Sequence, residues 1–302
     1  MVVEALYLFP EAKERIAGTG GGKQNPAAFI GLIDPTFGTK AELDADAGAE
    51  QIASLHPDAV VMKSLNAETT GKGLEALGIP VVYVDLETPE QFTRDVATLG
   101  QLLGNPKRAQ EILSFYQAKL QAIDKGLQGV MDSARPRALV MQYSEKGGEI
   151  ALSVPSAARL QTLMVELAGG VAIWKEAAQG AGSITVNLEQ IAAWDPDTIL
   201  IVSYTADSRE IVDKLEADSR WQALKAAQEG HIYGFPGDIF SWDQPDPRWI
   251  LGLTWIAAQM HPARFPELDM LEETAEFFER MYGMDRASFE ANILPRIHGD
   301  LQ

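Results

Sequence analysis

Residues 50–64 read EQIASLHPDAVVMKS, and residues 189–203 read EQIAAWDPDTILIVS. Laid over one another without gaps at an offset of 139 residues, they agree at seven of fifteen positions: Glu, Gln, Ile, Ala, Pro, Asp and the final Ser. Four of the remaining eight positions exchange one apolar residue for another. Each copy reads as the end of a helix, a Pro-Asp turn and a buried strand. Short solenoid repeats recur every 20–50 residues or so, whereas two copies this far apart predict two similar lobes.

Outward from the first copy, the residues alternate between strand and helix signals. Ala59–Met62 (AVVM) and Ile79–Val84 (IPVVYV) are continuous apolar runs suited to buried parallel strands. Residues 69–78 form a helix closed by Gly78. Pro89–Leu103 form another, capped at Thr88 and stopped at Gly104. Upstream, residues 2–9 (VVEALYLF) read as an apolar helix and Arg15–Gly18 as a short strand. This order predicts a parallel sheet covered by helices.

From Pro106 to about Leu127, Ile112, Tyr116, Leu120, Ile123 and Leu127 draw one apolar stripe. A helix of this length reaches about 30 Å, the width of a small lobe. It fits either a connector between lobes or a core helix of one of them. In the second half, strands are expected at Arg137–Gln142, Glu149–Ser153, Thr198–Val202 (TILIV) and His231–Phe235. Helices are expected at Ser156–Leu167, 208–216, Trp221–Ala227 and Arg248–Met260, with one or two more on the outside over 266–298. The fold class is therefore α/β: two Rossmann-like parallel-sheet lobes, residues 1–105 and 130–302, joined by a long helix over 106–129.

The chain carries 43 acidic against 25 basic residues, a formal charge of −18. Nucleic acid and anionic membranes both require a positive surface, so neither is a partner of this chain. There are no cysteines, which excludes disulfides, thiolate nucleophiles and Cys-ligated metal clusters. No apolar run reaches the 18 or so residues of a membrane span. Met1 is followed by Val2, Val3 and Glu4, without the basic start of an export signal. The segment GTGGGKQ invites a phosphate-loop reading. Ala17 stands where the first glycine is needed, Gln24 where Ser or Thr is needed, and Asn25-Pro26 opposes the following helix. A glycine-rich loop at a cleft fits better.

No pair among His56, His231, His261 and His298 has helical metal-ligand spacing. The nucleophile elbow G-x-S-x-G is absent. No catalytic residue, resident metal or cofactor is expected. Ligands of parallel α/β lobes meet the carboxyl ends of strands, here Thr19–Lys23, Lys63-Ser64, Asp85, Tyr143-Ser144, Gly182-Ser183, Tyr204 and Phe240–Asp243. From these ends the candidate ligand-binding set is Lys63, Ser64, Tyr143, Ser183, Tyr204, Trp242, Asp243 and Arg248. Tyr143, Tyr204 and Trp242 suit a bulky chelate or hydrogen bonding to an anion, or pack as core. Lys63 could neutralise an anion or be merely solvated. Asp243 could face the ligand or cap the helix after it, and Arg248 could clamp an anion or serve the fold.

The segments EQIASLHPDAVVMK (50–63), LEALGIPVVYVDL (74–86), NLEQIAAWDPDTILIV (187–202) and WILGLTWIAAQMHPARF (249–265), with the helix after GNPKRA (104–109), resemble the helical-backbone class of substrate-binding proteins of ABC importers. The resemblance covers nearly the whole chain. It implies two α/β lobes joined by one long helix, with the ligand in the cleft between them. It implies a non-enzymatic receptor, expected as a monomer, working outside the cytoplasm, either free in the periplasm or anchored to the membrane, and delivering cargo to permease subunits. The cargo it implies is an iron chelate, haem, cobalamin or related metal complex, with an oxyanion such as molybdate or tungstate as the alternative. A chelatase-like enzyme on a related fold is the weaker third reading. In the family, acidic residues matching Glu50 and Glu189 meet permease arginines; without a permease, both would simply be carboxylates favoured at helix starts. The family's first strand and export signal precede the segment matching VVEALYLF, so this chain is expected to begin inside the family pattern.

Overall fold

A computed structural model describes residues 1–20, 26–180 and 182–301. Gly21 to Asn25, the heart of the glycine-rich loop, lie outside the described residues. The chain divides into two compact units. The first comprises Met1–Phe115, Pro245–Pro247 and Phe278–Asp285; the second comprises Tyr116–Gln244, Arg248–Phe277 and Arg286–Gln302. The first division falls inside the long helix Pro106–Gly126. Its 21 residues extend about 31 Å. Ile112, Phe115, Tyr116 and Ile123 on its apolar stripe are buried.

The first unit holds two short parallel pairs. Strand β1 (Gly18–Gly20) pairs with β2 (Ala41–Leu43). Strand β3 (Val60–Lys63) pairs with β4 (Val81–Val84), from Val60 opposite Val81 to Lys63 opposite Val84. The helix Pro89–Leu102 has Thr88 as its cap, accepting from the Gln91 amide at 3.2 Å, and proline at its first position. Its inner face buries Phe92, Val96 and Leu99 together with Asp95. Asp95 Oδ2 accepts from the amides of Asp85 and Leu86 at 2.7 and 2.9 Å, which fixes the turn after β4. Leu86 there takes φ +59°, a conformation costly for a non-glycine residue and held by these bonds. Phe278 and Tyr282 join this unit by packing edge-on against Phe29, at 5.7 and 4.7 Å between ring centres. The helix Met270–Tyr282 thus buries an aromatic face instead of lying wholly on the outside.

The second unit is built on strands β5 (Arg137–Lys146), β6 (Glu149–Val154), β7 (Val171–Ala172), β8 (Ile184–Val186), β9 (Thr198–Val202) and β10 (Ile232–Gly234). The order is β10-β9-β5-β6-β8, with β7 beside the start of β5. The pairs β10–β9, β9–β5 and β5–β7 are parallel. The sheet is nevertheless mixed, because β6 runs antiparallel to β5 and β8 antiparallel to β6. Gly147 and Gly148, at φ +63° and +84°, make the tight turn that reverses the chain. All five residues of β9 are buried, as its unbroken apolar run requires. The helix Trp249–Met260, which packs against the helix Leu160–Leu167, buries ten of its twelve residues.

The duplicated segments agree in conformation as well as in sequence. His56 and Asp195 occupy the same repeat position and are both left-handed, at φ +51° and +46°. Asp195 caps the helix Leu188–Trp194, His56 lies three residues beyond Ala49–Ala53, and each turns the chain towards its strand, β9 or β3. The expected helix over 69–78 is divided, with a wide turn at Ala67–Gly71 before the helix Lys72–Ala76. The helix expected at Trp221–Ala227 shrinks to Lys225–Gln228.

Gly252 lets the helix Trp249–Met260 meet the Trp242 backbone. A Cβ there would run into the Trp242 carbonyl oxygen and lie 2.8 Å from the Met164 methyl. Gly252→Ala is therefore expected to cost about 1–3 kcal/mol. Urea denaturation should show a lower midpoint with an unchanged slope.

Candidate functional site

At the carboxyl end of β3, Lys63 and Ser64 are half-buried. Lys63 Nζ donates to the Asp85 carbonyl oxygen and forms a 3.4 Å ion pair with Glu87. Burial pushes the ammonium pKa down, against the pull of Glu87. The Ser64 hydroxyl, followed by the Arg94 guanidinium, holds the Asp85 carboxyl below its ordinary range. Arg94 spans Asp85 and Asp95 at 2.6 and 2.7 Å. The lysine at this strand end thus already has acidic and carbonyl partners.

In the second unit Tyr204 follows the end of β9, whereas Tyr143, expected at a strand end, lies inside β5, which runs on to Lys146 and pairs there with β6. Tyr143 is buried and its hydroxyl donates to Glu145 Oε2 at 3.1 Å. Burial, then that carboxylate, raises its pKa. Tyr204 is 47% exposed, yet its hydroxyl donates to Asp243 Oδ2 at 2.7 Å. Desolvation of the hydroxyl end, then the Asp243 charge, pushes its pKa well up. The Gln161 amide, from the helix Leu160–Leu167, donates to the same Oδ2 at 2.9 Å and also bonds the Tyr204 hydroxyl. Asp243 is 1% exposed, and its Oδ1 has no hydrogen-bond partner. Burial raises its pKa against the hydrogen bonds of Gln161, Ser241 and Tyr204.

Trp242 and Arg248 are fully buried and meet at Asp238. Asp238 Oδ2 accepts from the Trp242 indole at 2.9 Å, and Arg248 Nε donates to its two oxygens at 3.0 and 2.8 Å. The guanidinium also lies 5.1 Å from the centre of the Phe240 ring, a cation–π contact. Ser183 is exposed ahead of β8 and joins none of these groups. The second unit therefore brings Tyr204 and Asp243 together directly, and Trp242 and Arg248 through Asp238. Sequence reasoning missed Gln161, Asp238 and Asp95. Gln161 is the second residue of the helix Leu160–Leu167 and Asp95 the seventh of Pro89–Leu102, and nothing local says which carboxylate or amide they reach.

Glu50 and Glu189 are both exposed, each in the first turn of its helix. Among the described residues no group of three or more His, Asp or Glu is gathered as metal ligands. No described helix is long and apolar enough to cross a membrane.

A family model for periplasmic binding proteins matches residues 4–239, and the chain belongs to that family. It stands with the solute-binding proteins of ABC transporters. The molybdate-binding protein MolA of Haemophilus influenzae is 24% identical over 77% of this chain. The iron-uptake system-binding protein of Bacillus subtilis is 26% identical over 69% of it. The matches span 69% and 63% of those relatives' own lengths. The fold is shared with an ABC transporter solute binding protein from Sulfurospirillum deleyianum, with a TM-score of 0.76 at 21% identity, covering 96% of this chain and 90% of that one.

The raised pKa of Asp243 has a sign. Its contribution to stability is full below its ordinary value of 3.8 and is lost as pH rises through the folded-state value. Asp243→Asn removes that loss. The stability of this variant relative to the parent, measured by urea denaturation, is expected to increase as pH rises from about 4 towards neutrality.

Proposed function

We propose that the protein is the extracytoplasmic receptor of an ABC importer for a ferric chelate or related metal complex. One observation carries this choice of cargo. Several donors among the candidate residues are held by acidic or carbonyl groups of the protein itself: Lys63 by the Asp85 carbonyl and Glu87, Tyr143 by Glu145, Tyr204 by Asp243, and the Trp242 indole and Arg248 Nε by Asp238. Of the aromatic candidates Tyr204 is exposed, and with its proton held by Asp243 it turns its ring and no donor towards a ligand. That suits a bulky complex with donor groups on its periphery, and it is poor for an oxyanion, which needs several donors turned towards it. The formal charge of −18 acts in the same direction.

Binding is tested by a thermal-shift panel of ferric hydroxamate and catecholate chelates, haem, cobalamin, molybdate and tungstate. A ligand at a hundredfold excess over its Kd stabilises by about 2.7 kcal/mol, enough to raise the melting temperature measurably. A ferric chelate is expected to give that rise. A rise with molybdate or tungstate alone would establish the oxyanion reading, which the likeness to MolA keeps as the alternative.

The partner in this reading is a permease with basic contacts. Glu50 and Glu189 lie at equal positions in the two repeats and are exposed, so they form a matched pair of carboxylates for orienting the receptor. Exposed ion pairs contribute only about 0.2–1 kcal/mol each, which suits a contact that must be released in every cycle, while charge complementarity speeds encounter. The double variant Glu50→Lys/Glu189→Lys is expected to abolish uptake in cells while leaving ligand affinity within about twofold, well under the tenfold that 1.4 kcal/mol represents. Lost affinity would instead put these glutamates at the ligand.

A further inference from the structure

Asp243 is a carboxylate removed from water that no cation of the described residues pairs with. Tyr204 and Gln161 both donate to one of its oxygens, at 2.7 and 2.9 Å, and the other, Oδ1, has no partner. Elsewhere in the same unit the pattern differs: Asp238, equally buried, has the Arg248 guanidinium against it. A buried carboxylate without a counter-charge is costly, and an unmet oxygen adds to the cost. A neutral asparagine or an apolar residue there would avoid that cost.

Its surroundings indicate what would offset that cost. The Tyr204 proton is turned inward to Asp243, so the phenol oxygen, which the Gln161 amide also approaches, acts only as an acceptor on a residue that is 47% exposed. Gln161 is half-buried and uses its amide nitrogen on Asp243, which leaves its carbonyl oxygen as an acceptor. Tyr204 and Gln161 therefore present acceptors, backed by a carboxyl group whose charge burial disfavours until a cation meets it. Arg159, exposed just before the helix Leu160–Leu167, is the opposing influence: its charge acts on Tyr204. Ser241 approaches Asp243 as a neutral hydroxyl.

We infer that Asp243, Tyr204 and Gln161 form a subsite for a cationic donor group of the ligand, an ammonium carried on the chelate and distinct from its metal centre. This rests on the ferric-chelate reading above and adds a specificity to it. Tyr204 and Gln161 make the direct contacts, and Asp243 is the positioning residue that supplies the charge and fixes the direction of the tyrosine proton. An anionic group placed there would meet acceptors only.

The test uses two ferric trihydroxamates that differ in one group: ferrioxamine B, which ends in an ammonium, and its N-acetyl derivative, which is neutral there. Their affinities for the full chain are read by tryptophan-fluorescence titration at neutral pH. Ferrioxamine B is expected to bind about ten- to a hundredfold more tightly, the range of a charge-assisted hydrogen bond in a desolvated site. In Asp243→Asn, which keeps the side-chain shape, the ratio of the two affinities should fall to near unity. Tyr204→Phe should lower the same ratio, and a melting scan of each variant verifies its fold. Equal affinity of the parent for both chelates overturns the subsite and leaves the ferric-chelate reading standing. Binding of neither chelate, with molybdate bound instead, overturns that underlying reading.

Discussion

The carboxylate of Asp238 organises the most elaborate part of the second unit. It accepts from Arg248 Nε, from the Trp242 indole and from the Ile239 amide, the last at 2.6 Å. Arg248 stands just before the helix Trp249–Met260, so the ion pair ties the start of that helix to the segment carrying Trp242 and Asp243. Removing one partner of such a buried pair costs about 3–5 kcal/mol, because the other is left charged and dry. The position of Asp243, and with it the direction of the Tyr204 hydroxyl, depends on this anchorage.

The same device recurs on a smaller scale in the first unit, where Asp95 accepts from two amides after β4 and Arg94 bridges Asp95 and Asp85. Both units use buried or half-buried carboxylates to hold the loops at the ends of parallel strands. The chemical consequence is a polarity. Side chains that could have turned donors outward hold them inward, and Tyr204 turns an acceptor outward. In a chain with an excess of 18 negative charges, that polarity favours cargo presenting donors or positive charge.

Much of the fold was legible because it rests on periodicity and punctuation. The repeat predicted two related corners, and both copies make the same left-handed turn, at His56 and Asp195. The strand TILIV and the helix start at Thr88-Pro89 fell where an apolar run and a capping pair place them. What escaped notice is set by pairing at a distance. Strands β2 and β7 have three and two residues, too short for any pattern. The antiparallel turn at Gly147-Gly148 had a local signal, the paired glycines, but the expectation of a parallel sheet overrode it. At the site, strand ends pointed to Tyr204 and Asp243 from topology alone. Gln161 and Asp238 become visible only when the fold brings their polar atoms to particular partners.

The central claim is that inward commitment of donors makes this a receptor for metal chelates in preference to oxyanions. Its most direct test is a calorimetric titration of the unmodified protein with a ferric trihydroxamate, in the presence and absence of a large excess of molybdate. Saturable binding of the chelate, with an affinity that molybdate leaves unchanged, is the result expected. Heat of binding from molybdate itself, or displacement of the chelate by it, would contradict the account.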